Sequence, residues 1–331
     1  MPAASILIVN YNAGPHLARC VAALLAQDNA DFEVFLLDNG SADRSFELAR
    51  AAAGEDARFH FEAAGANLGF AAGNNRLAAR ASADWLAFLN PDAFPAPDWL
   101  SCMLAAAATH PEVALFGSLQ LDAGDAARLD GAGDRYLFAG LPWRGGYGWP
   151  SATALAEGAV FSPCAAAALV RRDAFQAVGG FDERFFCYVE DVDLGFRLRL
   201  AGQQARQIVA ARVQHVGGAS SAGAGSAFAR YHGMRNVVWC FVKNMPGPLF
   251  WPLLPLHLAV LLLLWLRAIP RGMAGVVGRA LCDALLGLGP IWASRRVIQA
   301  GRRAPLGSII RALTWNPLEY ARRAPANRLS K

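Results

Sequence analysis

The residues best suited to chemistry are carboxylates that follow apolar stretches of the chain. The apolar run from Trp85 to Leu89 ends at Asn90-Pro91-Asp92. Because proline cannot donate to a strand ladder, we expect the strand to end at Asn90. Ligands of open α/β sheets bind outside the carboxyl ends of the strands. Asp92 is therefore placed to ligate Mg²⁺ or Mn²⁺ carrying a diphosphate, although an ordinary turn aspartate explains it equally well.

A second group of carboxylates opens a helix at Glu190-Asp191-Val192-Asp193. Acidic residues in a first turn interact favourably with the helix dipole, and Asp193 can pair with Arg197 one turn later. Three carboxylates within four positions exceed what capping needs. We therefore expect one of them to be free for acid/base chemistry.

The elements that position these groups are predicted from apolar runs with polar ends. Ser5 to Val9 and Phe32 to Leu37 are predicted as buried strands, and Pro15 as the start of a helix. A glycine-containing loop from Asn67 to Asn75 permits close approach of backbone to a ligand. The residues that follow the two strands or form this loop are Asn10, Tyr11, Asn12, Asp38, Asn39, Asn67, Gly69, Phe70, Gly73 and Asn75. Together they suit a nucleotide site, although a capping turn explains Asp38-Asn39 nearly as well.

Several further features have competing interpretations. Arg171 ends an apolar run and offers a basic edge for an anion, whereas His215 follows a predicted strand as a metal ligand, a phosphate partner or a structural residue. Arg235 precedes an apolar tail and is suited either to a lipid diphosphate or to surface packing. Residues 120–157 are predicted to be irregular, with aromatics that stack on sugars or anchor the loop.

Composition separates a mildly acidic body from a basic, apolar tail. The chain has 331 residues, 55% of them hydrophobic, and a net charge of +5. From Phe241 onward it has 13 basic and two acidic residues, so this tail carries a charge of +11 and the rest of the chain −6. This pattern favours an anionic membrane surface over nucleic acid. The six scattered cysteines form no C-x-x-C pair, which argues against zinc and disulfides. The missing G-x-G-x-x-G fingerprint makes a nicotinamide or flavin enzyme improbable.

The tail is predicted to associate with a membrane without two full spans. Met245 to Leu266 has no charged residue, but its prolines leave only Leu256 to Leu266 as an uninterrupted helix. Arg279 and Asp283 interrupt the next apolar stretch. We expect re-entrant or interfacial helices, with a buried helical subdomain or an oligomer interface as the alternative. The arginines expected at the anionic surface are Arg295, Arg296, Arg302, Arg303, Arg311, Arg322 and Arg323.

Taken in order, these blocks resemble the family 2 glycosyltransferases of the GT-A fold, especially the bacterial branch with rhamnosyltransferases. The resemblance covers residues 4–245. It includes Gly179-Gly180-Phe181-Asp182-Glu183 and, in the later part, His215, Ser220, Tyr231 and Arg235-Asn236. It implies a mostly parallel, Rossmann-like sheet flanked by helices in residues 1–242 and a membrane-associating helical tail in 243–331. It also implies inverting sugar transfer from a nucleoside diphosphate.

The resemblance also implies roles for individual residues. Asp38 would contact the base, Asn67 to Asn75 the base and ribose, Asp92 the divalent metal, Mg²⁺ or Mn²⁺, and Asp191 the acceptor proton, with Glu190 and Asp193 as alternatives. Asn90 replaces the first carboxylate of the usual Asp-x-Asp motif, so the metal site is expected to need the donor diphosphate and help from His215.

The resulting expectation is an enzyme of cell-surface glycan synthesis on the cytoplasmic face of the inner membrane. The favoured donor is dTDP-rhamnose, with a UDP-hexose as the alternative, and the acceptor is a polyprenyl-linked glycan or polysaccharide. A non-catalytic nucleotide-sugar-binding scaffold is the rival hypothesis, against which Asp92 and Asp191 argue.

Overall fold

The structure is a computed structural model that describes residues 1–217 and 225–328; Ser220 lies outside the described residues. The strands are β1 Ala4–Asn10, β2 Phe32–Asp38, β3 Phe59–Ala63, β4 Trp85–Leu89, β5 Ala93–Pro95, β6 Val113–Asp122, β7 Leu129–Gly131, β8 Asp134–Leu137, β9 Leu141–Arg144, β10 Gly158–Ala159, β11 Ala167–Arg171 and β12 Gln204–His215. The α-helices are α1 His16–Leu25, α2 Ser45–Ala53, α3 Gly69–Ala78, α4 Trp99–Thr109, α5 Arg172–Ala177, α6 Glu190–Leu200, α7 Ala227–Asn244, α8 Gly247–Ala268, α9 Ala274–Leu286, α10 Leu288–Ala300, α11 Leu306–Ala312 and α12 Pro317–Ala321.

Within the described ranges, ten strands form one sheet in the order β10-β12-β6-β11-β4-β1-β2-β3, with β5 added beside β12 and β7 beside β6. The strands β3, β2, β1 and β4 run parallel, as do β6 and β12, whereas β11 runs antiparallel between β4 and β6. Helices cover both faces. The predicted mostly parallel, Rossmann-like sheet is therefore confirmed.

The central strand shows why an unbroken apolar run specifies this layer. Every residue of β1 is buried, and alternate side chains enter different cores because successive residues of a strand face opposite sides of the sheet. Ile6 and Ile8 pack with α1 and α4 in one core, and Leu7 and Val9 pack with α3 and α6 in the other. At the carboxyl end, Asn10 pairs in register with Asp38, so both strand ends reach the same edge.

Arg171 lies at the opposite edge of the sheet, which corrects the expected position of this residue. The apolar run before it contains β11, and Arg171 pairs with Trp85 at the beginning of β4 because β11 is antiparallel. Its guanidinium donates to Asp173 and to the carbonyl of Pro111. Periodicity identified the strand but carried no information on its direction.

The tail after α7 packs onto the remainder of the protein. Phe250, Ile291 and Ile309 share one core with Tyr136 and Phe196 of the preceding part. Arg295 is 7% exposed and donates to the carbonyls of Val242 and Met245 at the end of α7. The expectation that Arg295 meets a lipid surface was therefore wrong, because its buried guanidinium bonds the end of α7 and connects α10 to that helix. The domain division at residue 242 stays a prediction.

Helix α8 is continuous over 22 residues, so the expectation of an uninterrupted helix only over Leu256 to Leu266 was wrong. Pro248 lies in its first turn, where the backbone nitrogen needs no intrahelical partner. Pro252 and Pro255 are on the exposed side of the helix, while Phe250 and His257 bury the other side. Gly247–Arg271 is long and apolar enough to cross a membrane by length and composition, with 17% of its most apolar window buried; α9 and α10 form a second apolar pair bent by 58°.

Candidate active site

The carboxyl edge of the sheet opens into a cavity of about 670 Å³. Its walls come from the ends of β1, β4 and β12, the start of α3, the loop before α6, and β8 and β9. The structure brings most of the predicted site residues to these walls: Tyr11, Asn39, Asn67, Gly69, Phe70, Asn90, Asp92, Glu190, Asp191 and His215. They come from separate parts of the chain because parallel strands end at one edge.

Asp92 and His215 meet on one wall of the cavity. They are 3% and 2% exposed, and Asp92 Oδ1 lies 3.2 Å from His215 Nε2. The short strand β5 produces this contact, since it pairs antiparallel with β12 and aligns Ala93 with His215. Neighbouring ligands around Mg²⁺ at 2.0–2.1 Å are about 2.9 Å apart. The two atoms are thus spaced as neighbouring ligands of one divalent ion would be.

Two residues that the sequence interpretation missed support His215 from the other side. Asp130 Oδ2 lies 2.7 Å from His215 Nδ1 and accepts a hydrogen bond of 2.5 Å from Arg144 Nη1. Burial alone would lower the pKa of His215, but the hydrogen bonds to Asp130 and Asp92 raise it. Burial alone would raise the pKa of Asp130, but Arg144 and His215 together lower it. Arg144, Asp130, His215 and Asp92 thus form a row of alternating charged and polar contacts beside the cavity.

Helix α6 presents Asp191 to the cavity and keeps Glu190 almost buried in the cavity wall. The Asp191 carboxylate accepts hydrogen bonds from the backbone N–H groups of Ala165 at 3.1 Å and Val192 at 2.8 Å. Glu190 is 6% exposed. Burial, and secondly repulsion by Asp191, raise the pKa of Glu190 well above its usual range. Of the two, Asp191 has the environment suited to a carboxylate that accepts a proton.

Asp134 and Cys164 form a second group around Asp191, with ligand atoms within 4.8 Å of one another. Burial, and secondly the charge of Asp191, raise the pKa of Asp134 well above its usual range. Arg144 donates toward Cys164 Sγ at 3.5 Å, which puts a cation into this group. A thiol beside a guanidinium is a poor setting for Mg²⁺ or Mn²⁺, which prefer oxygen ligands. Asp92 and His215 are the better metal pair.

The opposite wall is built by amides. Asn39 donates to Asn67 Oδ1 at 2.9 Å and accepts from the backbone N–H of Leu68 at 2.9 Å, which holds the loop before α3 against the end of β2. Asp38 accepts from Asn10 Nδ2 at 3.0 Å and from the backbone N–H of Ser41 at 3.2 Å. Asn10 therefore acts as a buried connector, whereas Asn39 and Asn67 face the cavity.

The segment before α6 has an unusual backbone. Phe186, Tyr188 and Val189 all have φ between 66° and 69°, a region that non-glycine residues rarely adopt. The Nδ2 group of Asn236 on α7 lies 2.7 to 2.9 Å from the carbonyls of Phe185, Cys187 and Tyr188. This segment lines the cavity and leads directly into Glu190 and Asp191.

Some predicted residues support the site without lining it. Arg235 donates to the carbonyls of Arg184 and Phe185, beside the bonds of Asn236. Asp193 is fully buried and bonds Arg197 and Lys243, away from the cavity. The remaining residues in this group are Asn12, which accepts from the N–H of Ala42; Gly73, which packs against Val9; and Asn75, which bonds the backbone of Phe181.

The missed residues Asp130, Asp134 and Arg144 all lie in the glycine-rich segment 120–157. That segment contains β7, β8 and β9 rather than being wholly irregular. Its Asp130-Gly131-Ala132-Gly133-Asp134 sequence was the available signal, since two carboxylates that flank a pair of glycines are unusual for a plain surface loop.

Comparison with known proteins agrees with this geometry. The sequence profile described as "Glycosyl transferase family 2" matches residues 5–179, more than half of the chain. The chain belongs to this family. The family 2 assignment makes it a glycosyltransferase, as the ordered motifs predicted. Sequence similarity extends to an N-acetylglucosaminyl-diphospho-decaprenol L-rhamnosyltransferase of Mycobacterium tuberculosis, at 31% identity over 245 residues, 63% of this chain and 75% of the relative.

Other similarities are more distant or more partial. An O-antigen biosynthesis protein of Myxococcus xanthus is 34% identical over 59% of this chain but 16% of its own length. Among solved structures, GalNAc-T7 with UDP, GalNAc and Mn²⁺ has a TM-score of 0.60 at 15% identity. The match covers 73% of this chain and about half, 48%, of the GalNAc-T7 chain. A mannosyltransferase of Pyrobaculum calidifontis with GDP-Man and Mn²⁺ has a TM-score of 0.54 at 17% identity over 91% and 86% of the two chains. These structures establish the GT-A fold.

Proposed function

We propose that this family 2 enzyme is an inverting glycosyltransferase. It transfers a sugar from a nucleoside diphosphate donor to a hydroxyl of a lipid-linked or polysaccharide acceptor in cell-surface glycan synthesis. The observation that carries the proposal is that Asp191 lines the same cavity as the pair Asp92 and His215. A single displacement needs one base for the acceptor proton and one site for the departing diphosphate. No covalent protein intermediate is required.

In this proposal the diphosphate lies beside the wall of β4, β5 and β12. Asp92 Oδ1 and His215 Nε2 would hold a divalent ion, Mg²⁺ or Mn²⁺, whose chemistry when bound is to neutralise charge on the leaving diphosphate. Asn90 contributes a neutral amide where the common motif has a carboxylate. The ion is therefore expected to bind tightly only together with the donor.

The nucleotide is proposed to lie on the amide wall. Asn67, held in place by Asn39, presents a hydrogen-bonding group, and Phe70 offers a ring at the same wall. Asp38, held by Asn10, is proposed to contact the base from the end of β2. This places the sugar between the diphosphate site and Asp191, where the acceptor hydroxyl would lose its proton.

dTDP-rhamnose is the favoured donor and a polyprenyl diphosphate glycan the favoured acceptor. The support is the Mycobacterium tuberculosis relative, whose name gives a rhamnosyltransferase acting on a decaprenol-linked sugar. A UDP-hexose is the alternative donor, since GalNAc-T7 binds UDP in the same fold. A thermal-shift panel of dTDP-, UDP- and GDP-sugars with Mg²⁺ or Mn²⁺ discriminates between them.

The tail is proposed to hold the enzyme on the cytoplasmic face of the inner membrane, as a peripheral or re-entrant attachment. The outer side of α8 exposes several large apolar residues: Trp251, Leu258, Leu262, Leu263 and Leu266. A lipid-linked acceptor would then be presented at the surface that the tail contacts.

Replacement of Asp191 by Asn tests the proposed base. Asp191→Asn preserves shape but removes the proton acceptor, so we expect donor binding to be kept and transfer to fall by about 100-fold or more. Asp173→Asn, at the opposite edge of the sheet, is the matched control and should transfer normally. Undiminished transfer by Asp191→Asn would overturn the assignment. Donor binding without transfer by the wild-type enzyme, across the panel of donors and polyprenyl acceptors, would favour a non-catalytic scaffold.

A further inference from the structure

A continuous row of polar contacts runs behind the proposed metal pair. It begins at Arg144 Nη1, passes through Asp130 Oδ2 and both ring nitrogens of His215, and ends at Asp92 Oδ1, with separations of 2.5, 2.7 and 3.2 Å. Asp130, His215 and Asp92 are each at most 5% exposed. Water cannot easily substitute for any contact in such a buried row, so the arrangement of its members is fixed by their neighbours.

The Asp130 contact determines how the histidine ring is used. A carboxylate only accepts hydrogen bonds, so in a neutral ring the Nδ1 atom must carry the proton that Asp130 receives. Nε2 then carries the lone pair, and it is Nε2 that lies 3.2 Å from Asp92 Oδ1 and 3.2 Å from Asn90 Nδ2. In the neutral ring Nε2 thus presents a lone pair beside Asp92 Oδ1, where a divalent ion would take the place of the proton that a charged ring donates to Asp92.

Asp130 itself is held from a second direction. The same Oδ2 atom accepts from Arg144, and Gly131 leaves space for this arginine, because a Cβ at residue 131 would lie 2.7 Å from Arg144 Cγ and Cδ. A side chain at residue 131 would therefore displace the guanidinium. The local sequence thus fixes both the carboxylate and the cation that compensates its charge.

We propose that Asp130 is a positioning residue that orients His215 as the second metal ligand beside Asp92. This inference rests on the proposed function. A carboxylate behind a ligating histidine fixes the ring and raises its basicity. With a neutral amide at residue 90, Asp92 is the one carboxylate of the Asn-Pro-Asp motif, so the nitrogen that Asp130 orients is the second protein ligand.

Mn²⁺ affinity in the presence of UDP or dTDP, measured by electron paramagnetic resonance of the free ion, tests the proposal. We expect Asp130→Asn to weaken Mn²⁺ binding by about 10- to 100-fold, and His215→Ala by at least as much. Asp130→Glu keeps the charge and should retain part of the affinity, which also covers the case in which Asp130→Asn does not fold. Asp125→Asn, an exposed carboxylate on the same segment, is the control and should bind like the wild type.

The ring itself gives a readout that needs no metal. In ¹⁵N-labelled protein without metal at a pH where the ring is neutral, we expect His215 to be protonated at Nδ1 in the wild type and to lose that preference in Asp130→Asn. If Asp130→Asn binds Mn²⁺ as tightly as the wild type and its ring tautomer is unchanged, this inference is overturned while the proposed function stands. Absence of Mn²⁺ binding by the wild type with either nucleotide overturns the proposed metal site, and the inference with it.

Discussion

Lys243 of α7 and Asp193 of α6 form an ion pair at 2.9 Å, and their side chains are 2% and 0% exposed. The same ammonium group bonds Asp182 at 2.5 Å, and Asp193 also accepts from Arg197 and Asn244. This cluster ties α6, the helix that carries Asp191, to the end of α7, from which the tail continues. A buried charge is tolerated only when such partners are present.

Replacement of Lys243 by Met should therefore destabilise the protein. Asp193 would keep Arg197 and Asp182 would keep Arg184, but both carboxylates would lose a buried cationic partner. We therefore expect the free energy of unfolding to fall by about 1–3 kcal/mol. Urea denaturation followed by circular dichroism measures it. Lys243→Met combined with Asp182→Asn should recover part of the loss, because the repulsion between Asp182 and Asp193 that Lys243 compensates is removed as well; an equal or larger loss in the double variant would contradict this account.

The same cluster predicts loss of stability in acid. Burial opposes the shift, yet Arg184 and Lys243 lower the pKa of Asp182, and Arg197 and Lys243 lower that of Asp193. A carboxyl with a depressed folded pKa stabilises the protein above its unfolded pKa, about 3.9, and this contribution is lost as the pH falls toward the folded pKa. The urea midpoint should decline from about pH 4 downward. Asp182→Asn should show a shallower decline, and a decline of the same steepness would argue against the contribution of Asp182.

Asn236→Ala is expected to slow transfer more than it weakens donor binding. The amide holds three carbonyls of the left-handed segment that precedes Asp191. Loss of about 1–3 kcal/mol of such bonding corresponds to roughly 5- to 150-fold in kcat. Steady-state kinetics with donor titration separates kcat from KM. Asn29→Ala, which removes an exposed turn contact, is the control. A normal kcat in a folded Asn236→Ala protein would show that the segment holds its shape without this amide.

The outer face of α8 should determine membrane binding. Leu258, Leu262 and Leu266 are 46 to 55% exposed, so changing all three to Ser removes about 3 kcal/mol of apolar insertion, on the order of 100-fold in vesicle affinity. Co-sedimentation with vesicles containing phosphatidylglycerol measures the change. Serine at the exposed Leu25 and Leu48 of the catalytic part serves as the control. Equal sedimentation of the α8 variant and the control would contradict attachment through this face.

Truncation of the chain after Val242 would be a poorer test of membrane binding than these substitutions. Phe241 and Val242 lie in the core that Phe250 and Ile291 complete. Removing the tail would expose that core and unfold neighbouring elements, so loss of membrane binding could not be assigned to the tail itself. Hydropathy identified an apolar tail, but it cannot tell a face turned to lipid from one packed on protein.

The local pattern of the chain was sufficient to predict the buried strands of the sheet and the polar residues that follow them. Buried parallel strands need unbroken apolar runs, and polar residues must follow where each strand ends, so Asn39, Asn90 and Asp92 could be placed by their positions alone. The direction of β11 was beyond such reasoning, because an apolar run has the same composition in either direction. For that reason Arg171 was expected at the site and lies at the other edge.

The sequence by itself determined the family and the polar residues that follow each buried strand, because each of these depends on short runs of neighbouring residues; Asp191 as the favoured base came from the family resemblance and stays a proposal. Only the tertiary structure decided which charges face the cavity and which support it. Asp193 lies two residues after Asp191 yet is buried against Lys243, while Asp130, 85 positions from His215, lies 2.7 Å from its ring. Contacts between distant segments depend on how strands and helices pack, and no local pattern encodes that distance.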